Sequence, residues 1–433
     1  MEAVTIFWFR RDLRLDDNRG LFEALKASSR VLPLFVFDDD IIGSLPADDH
    51  RVSFIYDSVA NIHDQLQKQG RGVLIRKGRP YEIFLQIIND FPVEAVYCNG
   101  DHEPYGQRRD EQIKALLNAN GISFHCYIDH LVMNKHEVLK PDGSPYFVYT
   151  PYSKQWKANL NDAHLTYYES RSHLHHLLQQ QAFHFPKLEE LDFKRSSMVI
   201  PAMDTSQEVI VSYKENRDIP SISGTTRTGL YLRFGTISIR ELVRKALNWN
   251  ETYLNELIWR EFFAMILWHY PKVVSQSFRE EYDRIQWRND EKEFEFWKIG
   301  ATGFPMIDAG MRQLNKTGYM HNRLRMITAS FLSKHLLIDW RWGEAYFAEK
   351  LFDYELSSNN GGWQWSAGTG CDAAPYFRIF NPITQQTKFD PELKYVRAWV
   401  PELDKEDYPK PMVDLQLARE RCLHAYKAAV GEK

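Results

Sequence analysis

Short apolar runs alternate with amphipathic stretches along the first 130 residues of the chain. Five of the runs are rich in β-branched and aromatic residues, as buried strands are: residues 4–9, 31–37, 73–76, 95–98 and 122–127. The stretches between them predict a helix from Asn18 to Ala27, a second over residues 53–69, and two more that begin at Pro80 and Pro104. This order of strands and helices predicts an α/β domain with a parallel, five-stranded, doubly wound sheet.

The pattern changes twice farther along the chain. From about residue 131 to 205 the apolar periodicity fades into Tyr, His, Gln and Pro, which predicts a long connector. Beyond it, apolar stripes without internal proline predict helices over residues 238–249, 253–268, 305–316, 322–337, 342–354 and 415–430. We therefore predict three segments: an α/β domain over residues 1–130, the connector over 131–205, and an all-α domain over 206–433.

The charge of the chain limits the partners that it can bind. Its formal net charge is −4. Because nonspecific nucleic-acid binding needs positive potential, a protein that coats nucleic acid along its length is disfavoured. A local basic patch is one interpretation of residues 298–343, where seven Lys and Arg stand against two acids. The other interpretation is that these cations lie on solvated helix faces.

Membrane, disulfide and metal chemistry are not indicated. No run of 18 apolar residues occurs, and no basic segment precedes an apolar stretch at the start, so we expect a cytoplasmic protein with no membrane partner. The four cysteines are widely spaced and form no CxxC pair, which indicates reduced thiols. One cluster of histidines could suggest a metal site: His173, His175, His176 and His184. No nearby cysteine or paired acid completes a set of ligands, so we predict no metal site.

Two predicted helices carry polar residues that share one face. In the first, the spacing i, i+3, i+4, i+7 places Glu256, Trp259, Arg260 and Phe263 on one face. The opposite face is apolar, so we expect this helix to be buried. A buried glutamate needs a partner or a raised pKa, so either a structural pair with an arginine or a functional acid is consistent with the pattern. In the second helix, the same spacing places four residues on one face: Asn322, Arg325, Met326 and Ala329.

Two glycine-containing segments indicate close approach of a ligand to the backbone. Residues 359–365 read Asn-Asn-Gly-Gly-Trp-Gln-Trp, in which paired glycines beside two tryptophans suit a flat ligand. Residues 224–229 read Gly-Thr-Thr-Arg-Thr-Gly ahead of a helical stretch, which suits a phosphate held on backbone amides. The second segment lacks the lysine of a nucleotide-hydrolysing loop, so that chemistry is not indicated.

The opening motif, residues 7–18 (Phe-Trp-Phe-Arg-Arg-Asp-Leu-Arg-Leu-Asp-Asp-Asn), resembles the signature of the photolyase and cryptochrome family. Residues 256–262, 320–331 and 359–382 most closely resemble bacterial class I cyclobutane pyrimidine dimer photolyases, and the resemblance runs nearly end to end. It implies an N-terminal α/β domain and a helical C-terminal domain that holds FAD in a folded conformation. It also implies light-driven repair of dimer-containing DNA, and we expect a monomer.

The resemblance assigns roles to individual residues. FAD contacts are implied for Tyr213, Thr225, Thr226, Arg227, Thr228, Gly229, Arg325, Asp353, Glu355 and Asn359. A flipped-out dimer and its DNA strand are implied to contact Arg217, Glu256, Trp259, Asn322, Arg323, Met326, Trp365 and Gln385. Catalytic roles are implied for Glu256, for Asn359 near flavin N5, and for an electron-carrying tryptophan chain of Trp287, Trp340 and Trp363.

A second, light-harvesting chromophore is implied for the N-terminal domain. Folate-binding members carry Asn-Glu where this chain has Tyr105-Gly106, which favours a flavin or deazaflavin over methenyltetrahydrofolate. Residues similar to a flavin-type pocket are Asp38, Arg51, Asp101 and Glu103.

Other functions remain open at this point. The alternative is a cryptochrome photoreceptor, for which a long C-terminal tail or Asp or Cys at position 359 is expected, and neither is seen. A (6-4) photolyase is expected to carry His where Asn322 and Met326 stand. A flavin-binding or nucleotide-binding module without photochemistry leaves the tryptophan chain without a role.

Overall fold

The predicted sheet is present in the computed structural model of the chain, which describes residues 2–179 and 183–431. Its strands are β1 (Val4–Phe9), β2 (Val31–Asp38), β3 (Leu74–Gly78), β4 (Val93–Asn99) and β5 (Ser123–Tyr127). All neighbours are parallel, in the order β3-β2-β1-β4-β5. The strand order reverses between β1 and β4, as in doubly wound folds, so the predicted fold class of this region is confirmed.

The sequence signals for the helices of this region act as predicted. Asn18 caps the first helix by accepting a hydrogen bond from the backbone N–H of Leu21 at 3.1 Å. Pro80 and Pro104 occupy the first positions of their helices, where a missing N–H costs nothing. The helices are Arg19–Ala27, Asp39–Ile42, His50–Gln67, Pro80–Asp90 and Pro104–Ala119.

The opening motif builds a buried polar network at the carboxyl end of β1. Asp129 is buried and accepts hydrogen bonds from the guanidinium groups of Arg14 and Arg240. Burial by itself raises the pKa of Asp129, but the two guanidinium groups outweigh it and hold that pKa well below its usual range. Arg240 also donates to Asp17 at 3.0 Å, so charges of the motif are neutralised inside the fold.

From residue 138 onward the described regular elements are helices, joined by loops. The α-helices are Tyr149–Asn159, Gln207–Val211, Tyr213–Asn216, Gly229–Arg233, Ile239–Trp249, Glu251–His269, Glu291–Ile299, Pro305–Thr317, Asn322–Ser330, Trp340–Lys350, Leu356–Ala367, Pro382–Phe389, Lys394–Trp399 and Leu415–Val430. Shorter 3-10 turns cover Asp162–Leu165, Ser170–His176, Leu188–Leu191, Pro271–Val274 and Glu280–Arg284. The all-α class predicted for the C-terminal part is confirmed. Within residues 2–179 and 183–431, no helix is long and apolar enough to cross a membrane.

Contacts divide the chain into two units. The first comprises Met1–Glu137, Asn159–Ile200 and Thr228–Lys245, and the second comprises Val138–Ala158, Pro201–Arg227 and Ala246–Lys433. The segment boundaries predicted at residues 130 and 205 stay a prediction. Residues 180–182 of the predicted connector and residues 432–433 of the predicted helical domain lie outside the described residues.

Several helices were not predicted, among them Glu291–Ile299, Pro382–Phe389 and Lys394–Trp399, and three further differences from the prediction have a physical explanation. Helix Tyr149–Asn159 lies inside the stretch read as a connector, where aromatic and polar residues obscured the buried pair Tyr152 and Trp156. Helix Leu356–Ala367 was not predicted, because its glycines and asparagines have low helix propensity and tertiary packing overrides that preference. The helix predicted over residues 322–337 ends at Ser330 and continues as one π turn, Phe331–His335.

The paired glycines of helix Leu356–Ala367 have different neighbours, and this predicts opposite effects of one methyl group. A Cβ atom on Gly361 would lie 2.2 Å from the Phe263 ring, whereas a Cβ on Gly362 would meet no atom within 4 Å. We expect Gly361→Ala to lower the free energy of unfolding by about 1–3 kcal/mol through overpacking. Gly362→Ala should leave it unchanged or raise it by up to about 1 kcal/mol, because alanine favours the helix. Urea denaturation of both variants tests this, and equal midpoints would contradict it.

Candidate active site

A solvent-connected cavity of about 230 Å³ lies within the second unit. Its walls come from helices Glu251–His269, Asn322–Ser330, Trp340–Lys350 and Leu356–Ala367, with a short loop after Leu351. The lining residues are Glu256, Trp259, Arg260, Phe263, Asn322, Arg325, Met326, Ala329, Phe347, Leu351, Asp353, Tyr354, Glu355, Ser358, Asn359, Gly362, Trp363 and Ser366.

Three helical faces form most of this wall. All four residues of the first predicted face, from Glu256 to Phe263, line the cavity, and so do all four of the second, from Asn322 to Ala329. The unpredicted helix Leu356–Ala367 contributes Asn359, Gly362, Trp363 and Ser366, which follow the same i, i+3, i+4, i+7 spacing. The two shared faces were therefore predicted correctly, and the third was missed with its helix.

Glu256 lies half-buried at the cavity and pairs with a residue distant in sequence. Its carboxylate accepts a hydrogen bond from the guanidinium of Arg217. Burial raises the pKa of Glu256 above its usual value, although the guanidinium acts in the opposite direction. Arg217, which the resemblance places near the DNA strand, is thus the partner of the predicted catalytic acid.

Two further ion pairs stand in the wall. Arg260 donates to both carboxylate oxygens of the buried Glu355, at 3.0 and 2.8 Å. Arg325 donates to Asp353 Oδ2 at 2.8 Å, and the resemblance assigns both residues to the FAD site. Among the described residues, the buried Asp353 Oδ1 has no hydrogen-bond partner. A buried acceptor without a partner in a cavity wall suits a donor group of a ligand, so these residues fit a polar cofactor.

Asn359 is held by Glu344, an acid that no sequence pattern singled out. Its side-chain amide donates to the backbone oxygen of Glu344 at 3.0 Å and to the Glu344 carboxyl at 3.1 Å. Burial raises the pKa of Glu344 to about 7, with the Asn359 hydrogen bond acting in the opposite direction. Glu344 therefore contacts the predicted catalytic amide and has a pKa near neutral pH.

The raised pKa of Glu344 predicts a pH dependence of stability. Between about pH 4.5, its ordinary pKa, and about pH 7, the unfolded carboxyl has lost its proton while the folded one keeps it. The folded state then binds more protons, so Glu344 makes the free energy of unfolding fall as the pH rises through this window. Glu344→Gln should remove that part of the slope. Urea denaturation of both proteins from pH 4.5 to 8 tests this, and parallel curves would contradict it.

The predicted tryptophans occupy different environments. Trp363 lines the cavity, and its ring lies edge-on to Phe347 with 4.9 Å between centroids. Trp340 is fully buried with the Arg341 guanidinium over its ring, and the partly buried Trp287 lies edge-on to Tyr426 at 6.0 Å. Of the three, only Trp363 belongs to the cavity wall.

Several residues of the implied dimer site lie outside this wall. Trp365 lines a neighbouring crevice with Phe263 and Asp372. Gln385 lies in helix Pro382–Phe389, and Arg323 donates to Asp218 at 2.7 Å with its guanidinium over the Phe389 ring. Their contacts with DNA stay predictions.

The implied FAD phosphate segment is divided between the two units. Thr225, Thr226 and Arg227 belong to the second unit, and Arg227 adopts a left-handed backbone conformation with φ of 52°. Thr228 and Gly229 belong to the first unit, where Gly229 begins helix Gly229–Arg233. Tyr213 lies in the second unit with its ring edge-on to Tyr253.

The cations over residues 298–343 do not form a free basic patch. Lys334 is buried and donates to a backbone oxygen. Five others are ion-paired within the chain: Lys298 with Glu295, Arg312 with Glu402, Arg323 with Asp218, Arg325 with Asp353, and Arg341 with Asp283. Sequence counting missed these five pairs because all five acids lie outside the segment.

The implied antenna residues take part in three different polar contacts of the first unit. Asp101 and Glu103 both accept from Arg11, at 2.9 and 3.1 Å. Arg51 pairs with Asp49, and Asp38 accepts from the hydroxyl of Tyr105 at 2.7 Å. A cavity of about 430 Å³ in the same unit is lined by Asp40, Arg79, Pro80, Tyr81, Glu82, Tyr105, Arg108, Arg109, Gln112 and Ile113.

One group in the first unit has the composition of a metal site. The ligand atoms of Asp101, His102 and His130 lie within 4.8 Å of one another. The two imidazoles are hydrogen-bonded to each other at 2.7 Å, and Asp101 Oδ1 already accepts from Arg11. The group therefore acts as a hydrogen-bonded network in this structure, and the histidines singled out from the sequence are not part of it.

The helical unit places acids, amides and two tryptophans around one cavity, and the chain also carries a doubly wound α/β unit. Together these features define an enzyme with a site for a flat polar cofactor. A profile of the FAD-binding domain of DNA photolyase matches residues 253–406, and a DNA photolyase profile matches residues 5–169. The chain therefore belongs to the DNA photolyase family and is an FAD-binding lyase of DNA repair.

Individual relatives agree with this assignment. The chain is 36% identical to the deoxyribodipyrimidine photo-lyase of Alkalihalophilus pseudofirmus, over 98% of each sequence. It is similar to the structure of a bacterial class III photolyase from Agrobacterium tumefaciens, with a TM-score of 0.87, 31% identity, and coverage of 99% of this chain and 98% of that one. An archaeal photolyase from Sulfolobus tokodaii with two FAD molecules gives a TM-score of 0.85, 34% identity, and coverage of 98% and 100%.

Proposed function

We propose that this chain uses light to split cyclobutane pyrimidine dimers in DNA. The observation that carries the proposal is the single cavity in which Glu256, Trp259, Asn322 and Met326 face the same space as Asn359 and Trp363. A hydrogen-bonding group for a base edge, an indole face for stacking and a contact for the flavin are thereby available in one cavity. The name of the relative from A. pseudofirmus, deoxyribodipyrimidine photo-lyase, supports this substrate.

The residues toward the mouth suit a dimer flipped out of the duplex. Trp259 offers an indole face on which a pyrimidine stacks, and Asn322 offers an amide that hydrogen-bonds a base edge. Glu256 would hold a proton at its carboxyl and donate it in a hydrogen bond to a dimer carbonyl, which stabilises negative charge there. Because Glu256 accepts from Arg217 in the free chain, this donation requires the pair to open when the dimer enters.

Other residues would hold the cofactor. Reduced FAD, when bound, supplies the electron that splits the dimer after light is absorbed. Arg325 and Asp353 would fix the position of its ring system, with the unpartnered Asp353 Oδ1 as an acceptor, and Asn359 would present its amide to flavin N5. The remaining implied contacts are Tyr213, Thr225, Thr226, Arg227, Thr228, Gly229 and Glu355.

Trp363, Trp340 and Trp287 would carry electrons inward to restore the reduced cofactor. The position of Trp363 in the cavity wall supports it as the inner member. For the first unit, we propose a second chromophore of flavin or deazaflavin type. The S. tokodaii structure with two FAD molecules supports a flavin in that role.

The test compares light and dark reactions of the purified, flavin-loaded protein on oligothymidine that contains dimers. Absorbance at the thymine band should recover only under blue light, and undamaged oligothymidine should show no change. Equal light and dark traces with reduced FAD bound would overturn the proposal and favour the cryptochrome alternative if the flavin still responds to light. Trp363→Phe should slow photoreduction and leave repair by pre-reduced protein intact, and intact photoreduction would overturn the electron path.

A further inference from the structure

Tyr149 covers one face of the Trp259 indole. The two rings are parallel to within 5°, with 3.7 Å between their centroids. This is a face-to-face stack at van der Waals distance, so that side of the indole has no room for another ring. Tyr149 begins helix Tyr149–Asn159, which lies in the segment that the sequence analysis interpreted as a connector.

Two hydrogen bonds fix Tyr149 against separate parts of the second unit. Its hydroxyl donates to the backbone oxygen of Asn255, one residue before Glu256. Its backbone N–H donates to Asp372 Oδ2 at 2.9 Å. The edge of Phe262 closes a third side, with 5.9 Å between the ring centroids. The ring of Tyr149 is therefore held at both ends and from the side.

These anchors connect the two tryptophans that the proposed dimer site uses. Trp259 lines the main cavity, whereas Asp372 lines the neighbouring crevice together with Trp365. Tyr149 contacts Trp259 through its ring and Asp372 through its backbone. One residue thus joins the helix that carries Trp259 to the loop that follows Trp365.

We propose that Tyr149 is a positioning residue for dimer recognition: it holds the Trp259 indole in one orientation, so that only the face opposite Tyr149 receives a pyrimidine. This inference rests on the proposed function. A tryptophan that is already ordered loses little side-chain entropy when a base stacks on it, so preorganisation by Tyr149 strengthens binding without any direct contact to DNA. The expected signature is a change in affinity for dimer-containing DNA with little change in the repair step itself.

The experiment measures dissociation constants of the flavin-loaded protein for an oligonucleotide with one dimer and for the same sequence undamaged. Tyr149→Leu removes the planar ring and should weaken binding to the dimer about three- to tenfold, without changing binding to undamaged DNA or the repair yield of the saturated complex. Tyr149→Phe keeps the stack and should stay within about twofold of the natural chain. Should Tyr149→Leu fail to fold, Tyr149→His keeps a smaller flat ring and should give an intermediate constant.

A double variant separates positioning from a general structural role. If Tyr149 acts through Trp259, the combination Trp259→Ala with Tyr149→Leu binds the dimer no more weakly than Trp259→Ala alone. Tyr152→Phe on the same helix is the matched control, because the buried Tyr152 hydroxyl has no hydrogen-bond partner among the described residues. Additive losses, or an unchanged constant for folded Tyr149→Leu, would overturn the inference while the proposed function stands. If the natural chain itself does not prefer dimer-containing DNA, both fall.

Discussion

Trp259→Ala is expected to weaken binding of dimer-containing DNA by about 1–3 kcal/mol, which is the range found for one base stacked on an aromatic side chain. The reason is that Trp259 lines the cavity and that Tyr149 covers one face of its indole. Its loss removes the stacking surface and also leaves Tyr149 without its partner. Fluorescence-anisotropy titration with a dimer-containing oligonucleotide measures the effect.

Trp342→Ala is the control for this substitution. Trp342 is a partly buried tryptophan of the second unit that packs against Phe294 and does not line the cavity. Its removal should leave the dissociation constant for the dimer unchanged. Equal losses of affinity in the two variants would show that Trp259 has no special role in recognition.

The second large effect is expected for stability, in Arg260→Leu. The side chains of Arg260 and Glu355 are 11% and 6% exposed and form two hydrogen bonds. Removing the cation leaves a buried carboxylate without its charge partner, which should lower the free energy of unfolding by about 3–5 kcal/mol. The double variant Arg260→Leu with Glu355→Leu should regain most of this loss, because an apolar pair replaces a buried ion pair at little cost.

An exposed ion pair supplies the comparison. Arg397 and Asp404 are 53% and 66% exposed, so Arg397→Leu should change the free energy of unfolding by about 0–1 kcal/mol. Urea denaturation of the variants measures all three values. A similar, small change for Arg260→Leu and Arg397→Leu would mean that water reaches Glu355 in the folded chain.

The strands and helix faces of this protein can be predicted from the sequence, whereas the contacts between residues far apart in the chain cannot. Apolar runs predicted all five strands, and the i, i+3, i+4, i+7 spacing predicted two shared helix faces that line the cavity in the structure, because both signals depend on near neighbours in the chain. The pair of Arg217 with Glu256 and the pair of Glu344 with Asn359 join residues 39 and 15 positions apart. No sequence period connects them, so only the fold reveals them.

Helix Leu356–Ala367 shows a second limit. Asn359, Asn360, Gly361 and Gly362 disfavour a helix in isolation, and Gly361 becomes acceptable only because the Phe263 ring of another helix occupies the space beside it. Tyr149 was likewise read as part of a connector, because Pro151 and the surrounding polar residues hide a short amphipathic helix. In both segments the deciding contacts come from partners far away in the chain.

Asn359 and Trp363 lie four positions apart on helix Leu356–Ala367, so the amide and the indole project from the same helix face about one turn apart. Insertion or deletion of one amino acid between them would swing one of the two by about 100° around the helix and out of the cavity. The spacing therefore matters alongside the two residue identities, because it keeps both side chains in the cavity wall.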